Sequence, residues 1–252
     1  MKKLVLLRDG ESEWNKLNLY TGWVDVDLSE KGCKDAKQAG LTLMKEGYDF
    51  DVCYTSNLKR AIHSLNITLD TMDRAWLPVI KSWKLNERHY GNLQGLNKSE
   101  TAVKYGYYQV KIWRRFYDVK PPELYYVDDE STLKPAVYEV SDNAQVNQYE
   151  SLKTVTKRVI PYYKKTIVKD ILAGKRVLIT AHNNTLRALV KYLDSLTEDE
   201  IVSVNIPNCV PLVYEFDDDM NVLKHYYIED KRILRAKMEA VAKEGKKRTV
   251  TS

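Results

Sequence analysis

The stretch from Leu4 to Asn15, LVLLRDGESEWN, decides the fold. Its first four residues, Leu4 to Leu7, are apolar and have charged neighbours on both sides, which is typical of a short strand buried on both faces of a parallel sheet. In open α/β sheets, ligands bind at the carboxyl ends of the strands. Gly10 permits a tight turn at this point, and the N–H groups that begin the next helix attract anions. We therefore predict an anion site beside Arg8 and Asp9.

A second segment has the same layout. The apolar run from Arg176 to Thr180, RVLIT, is followed by a polar cluster that contains His182 and then by the helical pattern LRALVKYL. Either motif alone is compatible with an ordinary strand-to-helix turn. Two adjacent parallel strands would place Arg8, Asp9 and His182 within reach of one phosphate-sized group.

Length and composition are those of one compact domain, which we expect to span residues 1–252. Helical patterns with caps recur, such as the one from Cys33 to Gly47 after a cap at Ser29. Because strands alternate with helices, we expect an α/β fold: a three-layer sandwich in which helices cover both faces of a mainly parallel sheet.

The net charge of +5 does not indicate a nucleic-acid partner, because basic and acidic residues are interspersed except in a basic run from Lys243 to Arg248. No early apolar run reaches the roughly 18 residues of a membrane span, and a strand that begins at Leu4 argues against a signal peptide. We expect a cytoplasmic protein without a membrane partner. Cys33, Cys53 and Cys209 are interpreted as reduced thiols, and no clustered metal-site motif is evident.

Six segments together match a known family pattern: LVLLRDGESEWN at 4–15, YTGWVDVDLSEKG at 20–32, YTSNLKRAIHS at 54–64, WKLNERHYGNLQGLNKSETA at 83–102, VKIWRR at 110–115 and IPNCVPLVYEFD at 206–217. Through these segments the chain resembles, over nearly its whole length, the cofactor-dependent phosphoglycerate mutases. That family belongs to the histidine phosphatase superfamily, whose signature is Arg-His-Gly at the end of the first strand. The corresponding triplet here is Arg8-Asp9-Gly10.

The resemblance implies a phosphoglycerate mutase-like fold and an isomerase of glycolysis, an intramolecular phosphotransferase. Such an enzyme interconverts 3-phosphoglycerate and 2-phosphoglycerate by ping-pong phosphoryl transfer, with 2,3-bisphosphoglycerate as the phosphoryl primer and without a metal. It also implies a homo-oligomer, either a dimer or a tetramer.

Site residues follow from the same resemblance. It implies catalytic roles for Arg8 and Arg60 on the phosphate, for Glu87 as the general acid–base, for His182 as a hydrogen-bond donor to the phosphoryl group, and it places Asp9 at the nucleophile's position. The implied substrate-binding residues are Ser12, Asn15, Thr21, Gly22, Arg88, Tyr90, Lys98, Arg114, Arg115, Asn183 and Asn184.

Asp9 changes the expected chemistry, because its carboxylate adds negative charge where an anionic substrate must bind. Enzymes that form aspartyl-phosphate pair the carboxylate with a divalent metal, which screens this repulsion. We therefore expect Asp9 to pair with Arg8 or Arg60, to compete with phosphate, and to reduce turnover strongly. We do not expect His182 to replace the nucleophile, because it would approach from the hydrogen-bonding position.

Two functions remain open. The first is a mutase with strongly reduced turnover, and the second is a catalytically dead relative that binds phosphate esters or acts as an interaction protein. The presence of Glu87 favours an enzyme ancestry, whereas Asp9 and Asn183 favour loss of chemistry. An engineered substitution, a natural pseudoenzyme and a redesigned sequence are all compatible with these residues.

Other departures from the family pattern lie beside the predicted crevice. Asn183 and Cys209 stand where the family has glycines, and asparagine is among the few residues that tolerate a positive φ. Residues 125–148 keep little of the family pattern. We expect an inserted lid at about 93–148, with a loop boundary at Pro121-Pro122. The basic tail at about 243–252 is compatible with a mobile, solvated terminus, and the resemblance implies that it closes over the active site.

Overall fold

A six-stranded sheet forms the centre of the molecule. The computed structural model describes residues 2–123 and 149–243. The strand order is β3-β2-β4-β1-β5-β6, and the pairs β1/β4, β2/β4 and β2/β3 are parallel whereas β1/β5 and β5/β6 are antiparallel. The predicted mainly parallel sheet is thereby confirmed. The strands are β1 (Lys2–Arg8), β2 (Val52–Thr55), β3 (Val79–Lys81), β4 (Val177–Ala181), β5 (Leu212–Phe216) and β6 (Val222–Tyr227).

Strand β1 lies in the interior of the sheet, where its apolar run is buried on both faces. Leu4 and Leu6 belong to one apolar cluster, and Val5 and Leu7 belong to another on the opposite face. This division follows from the alternation of side chains along a strand. The adjacent parallel pairing of β1 with β4 is confirmed, with Arg8 opposite Ala181 at the carboxyl end.

Helices cover both faces, as predicted from the alternation of elements. Buried residues of α2 and α3 share the cluster of Val5 and Leu7, and buried residues of α6, α7 and α8 share the cluster of Leu4 and Leu6. A π turn at Tyr163–Ile167 joins α6 to α7. The helices are α1 (Glu13–Lys16), α2 (Glu30–Lys45), α3 (Lys59–Thr71), α4 (Lys98–Tyr105), α5 (Tyr107–Arg115), α6 (Leu152–Tyr162), α7 (Val168–Leu172), α8 (Asn183–Leu193), α9 (Glu200–Ser203) and α10 (Lys231–Lys243).

A smaller apolar cluster lies beneath the pair α4/α5 and contains Tyr20, Leu93, Ala102 and Val110. Of the expected lid at 93–148, the structure describes residues 93–123, which include these two helices. Residues 124–148 and the basic tail after Lys243 lie outside the described residues. Within the part of the chain that is described, no helix is long and apolar enough to cross a membrane.

A buried ion pair fastens the loop that carries Glu87. Arg158 on α6 pairs with Glu150 at 2.8 Å, and the two side chains are only 9% and 4% exposed. The same guanidinium donates to the carbonyl groups of Lys84, Asn86 and Glu87 at 2.8–2.9 Å. Since these carbonyls belong to one loop, Arg158 fixes that loop against α6.

Arg158→Ala is expected to lower the free energy of unfolding by about 3–5 kcal/mol, because Glu150 would remain buried without its cation. The measurement is urea denaturation at neutral pH. Lys34→Ala is the control, since the Lys34–Glu30 pair is 73% and 84% exposed and contributes little. Equal losses of unfolding free energy in the two variants would contradict the structural role given to Arg158.

Candidate active site

Three neighbouring strands deliver polar side chains to one edge of the sheet. Asp9 follows β1, His182 follows β4, and Ser56 follows β2. The backbone N–H of Asp9 donates to the carbonyl of Ala181 at 2.8 Å, which continues the β1/β4 pairing by one residue. Because the three strands are parallel, their carboxyl ends meet, and the predicted convergence of Asp9 and His182 is confirmed.

The Asp9 carboxylate is shared between two partners. Its Oδ2 accepts a hydrogen bond from Nε of Arg60 at 3.1 Å and lies 2.7 Å from Nδ1 of His182. Burial raises the pKa of the Asp9 carboxyl group, but the charges and hydrogen bonds of His182, Arg60 and Arg8 lower it by more, so that the pKa lies below its ordinary value. The predicted pairing with Arg60 is confirmed, and Asp9 is ionised at neutral pH.

His182 is held on both sides of its ring. Its Nδ1 faces Asp9, and its Nε2 lies 2.7 Å from Oγ of Ser56. The residue is the N-cap of α8 and is 1% exposed. Sequence reasoning missed Ser56, although its place directly after a buried strand was a usable signal. The imidazole is therefore fixed behind Asp9 and does not line the cavity described below.

The two arginines at Asp9 differ in how many partners they have. Arg60 donates to the carbonyls of Gly22 and Val24 at 2.8 and 3.0 Å, so its fork already binds the loop before α2. Arg8 donates from Nη1 to the carbonyl of Ile206 at 2.6 Å, while its buried Nε has no partner among the described residues. Arg8 therefore has a buried nitrogen that makes no hydrogen bond to the described residues and could donate to an anion, whereas each nitrogen of the Arg60 guanidinium already donates one hydrogen bond.

The Glu87 carboxylate is positioned by backbone amides. Its Oε1 accepts from the N–H of Arg88 at 2.7 Å and from the N–H of Asn184, in the first turn of α8, at 3.1 Å. The carbonyl of Glu87 accepts from Nε1 of Trp23 and from Arg158. Glu87 is thus fixed by contacts to its own loop, to α8 and to α6.

These groups enclose a polar cavity of about 50 Å³, which has room for several water molecules. It contains most of the residues that the resemblance assigned, together with Tyr20, which sequence reasoning missed because an aromatic residue in this context carries no signal of function. The lining residues are Arg8, Asp9, Asn15, Tyr20, Thr21, Gly22, Arg60, Glu87, Tyr90, Lys98, Arg114 and Asn183.

Arg88 and Arg115 do not line this cavity, although the resemblance implied that they bind substrate. Arg88 is fully buried and donates to the carbonyls of Glu150 and Val119. Arg115 donates to the carbonyl of Val241 in α10 at 3.0 Å. Both guanidinium groups bind backbone carbonyls and connect parts of the scaffold.

Ser12 and Asn184 also lie behind the cavity wall. Ser12 caps α1 by accepting from the N–H of Asn15 at 3.1 Å. The Asn184 side chain donates to the Tyr90 hydroxyl at 3.0 Å and accepts from Arg187 at 3.0 Å. These contacts give both residues a role in positioning the residues that do line the cavity.

The two glycine replacements have different conformations. Asn183 is the first residue of α8 and does not have a positive φ. The tolerance of asparagine for a positive φ is therefore not needed at this position. The Oδ1 of Asn183 is buried and has no hydrogen-bond partner within the described part of the chain, and the residue lines the cavity where glycine would leave more space. Cys209 does have a positive φ of 51°, and its N–H donates to the carbonyl of Arg8. The strain falls at Cys209, next to β1.

A larger groove of about 950 Å³ lies at the opposite, amino ends of β1 and β4, beside Lys3, Tyr48 and Arg176. None of the residues assigned from the sequence lines it. Within the described ranges, no cluster of His, Cys, Asp or Glu has the arrangement of a metal site.

The comparisons with known proteins agree with this geometry. The model of the histidine phosphatase superfamily (branch 1) matches residues 4–134 and 126–229, and the chain belongs to that superfamily. A solved mycobacterial glucosyl-3-phosphoglycerate phosphatase in complex with VO3 superposes with a TM-score of 0.68 at 20% identity, over 90% of this chain and 97% of that one. Bacillus stearothermophilus YhfR gives a TM-score of 0.66 at 22% identity, over 88% of this chain and 94% of the other. These two structures show the fold.

Curated relatives are much more similar in sequence. A 2,3-bisphosphoglycerate-dependent phosphoglycerate mutase of Treponema denticola is 59% identical over 98% of this chain and 100% of its own length. One of Lachnoclostridium phytofermentans is 58% identical over 97% of this chain and 98% of its own. Within the superfamily, the chain is a member of the 2,3-bisphosphoglycerate-dependent phosphoglycerate mutase family.

The pairing of Asp9 predicts a pH-dependent contribution to stability. Because its folded pKa lies below the ordinary value of 3.8, Asp9 stabilises the fold above that pH, and this contribution disappears as the pH falls through the lower folded value. The free energy of unfolding of the parent chain minus that of Asp9→Asn should therefore shrink as the pH is lowered from about 6 to about 3. Urea denaturation at each pH measures it, and a pH-independent difference would contradict the ionised pairing.

Proposed function

We propose that this chain binds phosphoglycerates in the cavity beside Asp9 and interconverts 3-phosphoglycerate and 2-phosphoglycerate with strongly reduced turnover. The observation that carries the proposal is the charge of the cavity: four cationic residues line it, Arg8, Arg60, Lys98 and Arg114, against the two carboxylates of Asp9 and Glu87. Cationic side chains in a concave site attract an anion and orient it. The reaction is inferred from the membership of the chain in the mutase family.

Buried donors without partners support binding of a multiply anionic ligand. Arg8 Nε and Thr21 Oγ1 are inaccessible to water and have no hydrogen-bond partner among the described residues, yet both residues line the cavity. A buried donor without a partner costs free energy, which an anionic ligand would recover. The same donors suit 2,3-bisphosphoglycerate, which supplies the phosphoryl group in such enzymes.

Residue roles are part of the proposal. Glu87 is proposed as the general acid–base, because its carboxylate lines the cavity on rigid backbone supports. Lys98, Arg114, Asn15 and Thr21 are proposed to bind the substrate's anionic groups. His182 acts through its contact with Asp9, since it is shielded from the cavity.

Asp9 accounts for the reduced turnover. The Asp9 carboxylate bonds both Arg60 and His182. A phosphoryl group that binds these two side chains would have to displace the carboxylate. Its charge also repels the incoming anion. The histidine that the family uses would present a neutral ring nitrogen at the same point.

A second candidate is a catalytically dead relative that binds phosphate esters or interacts with a protein partner. The chain of contacts from Asp9 to His182 and from His182 to Ser56 favours it, since each of these side chains already has a hydrogen-bond partner. For either candidate we propose a cytoplasmic homo-oligomer of a single domain spanning residues 1–252, with the lid at about 93–148 and the basic tail at about 243–252 closing the site.

Asp9→His is expected to raise mutase turnover of 3-phosphoglycerate by at least ~10³-fold, because the loss of a covalent nucleophile lowers turnover by about this factor. The assay is coupled turnover primed with 2,3-bisphosphoglycerate, run on both chains in parallel. Activity in the histidine form alone supports the first candidate. Absence of activity in both forms supports the second candidate, and near-normal activity of the parent chain would refute the role given to Asp9.

Inorganic phosphate is expected to raise the melting temperature of the parent chain, because a ligand that binds only the folded state stabilises it. At ten times its Kd the stabilisation is about 1.4 kcal/mol, or roughly 3–6 °C for a chain of this size. Differential scanning fluorimetry against chloride of equal ionic strength measures the shift.

Two lysines of α4 provide matched variants for that measurement. Lys98 lines the cavity, whereas Lys104 is exposed on the same helix. Lys98→Met should reduce the phosphate-induced shift, and Lys104→Met should leave it unchanged. An equal shift in the parent and in both variants would place the anion outside this cavity.

A further inference from the structure

Tyr20 is a cavity residue that the assignments from the family do not include. It lies on the loop between α1 and α2 and is 1% exposed. Its ring packs in the apolar cluster beneath α4 and α5, and the ring of Tyr90 lies against it with centroids 5.3 Å apart. The ring is therefore explained by packing.

The hydroxyl group of Tyr20 is not explained by packing. It is buried and has no hydrogen-bond partner among the described residues, whereas the neighbouring Tyr90 hydroxyl accepts from Asn184 at 3.0 Å. A phenylalanine would fill the same space without leaving a buried polar group unsatisfied. Burial raises the pKa of Tyr20, an effect that the charge of Arg114 opposes only in part, so the hydroxyl keeps its proton and can donate.

The neighbours of Tyr20 indicate which end of the cavity it occupies. Tyr20 packs against Tyr90 and beneath α5, the helix that carries Arg114, whereas Asp9 is held by Arg60 and His182. Tyr20 and Arg114 both line the cavity. The hydroxyl thus belongs to the end away from Asp9, where the part of the ligand that does not react would lie.

We propose that Tyr20 is a specificity-determining residue whose hydroxyl donates a hydrogen bond to an anionic oxygen, phosphate or carboxylate, at the far end of the bound phosphoglycerate. This inference rests on the proposed function and adds a contact to it. It also explains why a polar atom persists in an otherwise apolar cluster.

The test is calorimetric titration of 3-phosphoglycerate into the parent chain, Tyr20→Phe and Tyr163→Phe. Tyr163 is the matched control, because its hydroxyl is also buried without a described partner but lies in the core cluster with α6 and α8, away from the cavity. Tyr20→Phe is expected to weaken binding by about 10- to 100-fold, as for loss of a hydrogen bond to a charged group, while Tyr163→Phe binds like the parent.

Each outcome of this titration decides a separate point. Binding to the parent with equal affinity for Tyr20→Phe would overturn this inference and leave the proposed function standing. Absence of binding to the parent would overturn the proposed function and this inference with it. In the absence of ligand, Tyr20→Phe should melt no lower than Tyr163→Phe; a clearly lower melting temperature would reveal a structural partner for the hydroxyl and overturn the inference.

Glycerate and inorganic phosphate, titrated separately, identify the anionic group that Tyr20 contacts. If Tyr20→Phe weakens glycerate binding, the contact is with the carboxylate. If it weakens only phosphate binding, the contact is with a phosphate oxygen. If neither weakens although 3-phosphoglycerate binds more weakly, the contact requires both groups of one ligand, as expected for the far end of the cavity.

Discussion

The carboxylate of Asp9, held between Arg60 and His182, is the interaction on which the rest of the site depends. It joins the end of β1 to the first turn of α3 and to the N-cap of α8. Through Arg60 it also anchors the loop at Gly22 and Val24. A buried charge needs partners of this kind, because an unpaired carboxylate would be strongly destabilising. The interaction that makes the site rigid therefore also occupies the side chains of Arg60 and His182.

The carboxylate also sets the electrostatic balance of the cavity. Four cationic side chains face Asp9 and Glu87, so part of the positive charge is neutralised before any ligand arrives. Glu87 is compensated by the backbone N–H groups of Arg88 and of Asn184 at the start of α8, whereas Asp9 draws on the guanidinium group of Arg60. The two carboxylates are thus stabilised differently: Glu87 by backbone dipoles, and Asp9 by a side-chain cation that lines the same cavity.

Much of the fold, and the convergence of Asp9 and His182, could be predicted from local signals, whereas most of the other site residues were assigned from the resemblance to the mutase family. Apolar runs bounded by polar residues identified β1 and β4, because a strand buried on both faces needs an uninterrupted run and its polar groups gather where it ends. The direction in which each side chain points could not be predicted from these local signals. Arg114 and Arg115 are adjacent in sequence, yet a helix advances about 100° per residue, and one lines the cavity while the other binds α10. Whether the Tyr20 hydroxyl has a hydrogen-bond partner depends on the residues that surround it in the folded chain. No local sequence pattern indicates that it lacks one among the described residues.

The place of β1 in the sheet has a consequence for folding on the ribosome. Leu4 pairs with Val177 on one side and with Tyr214 on the other, so both neighbours of the first strand are made late in synthesis. At about 5–20 residues per second, the N-terminal apolar run waits roughly 10–40 s for its partners. During that interval a hydrophobic segment with unpaired backbone groups is exposed, and its long-range pairing makes folding intrinsically slow. The strand that carries Asp9 to the site is therefore also a segment that a nascent-chain chaperone would be expected to bind.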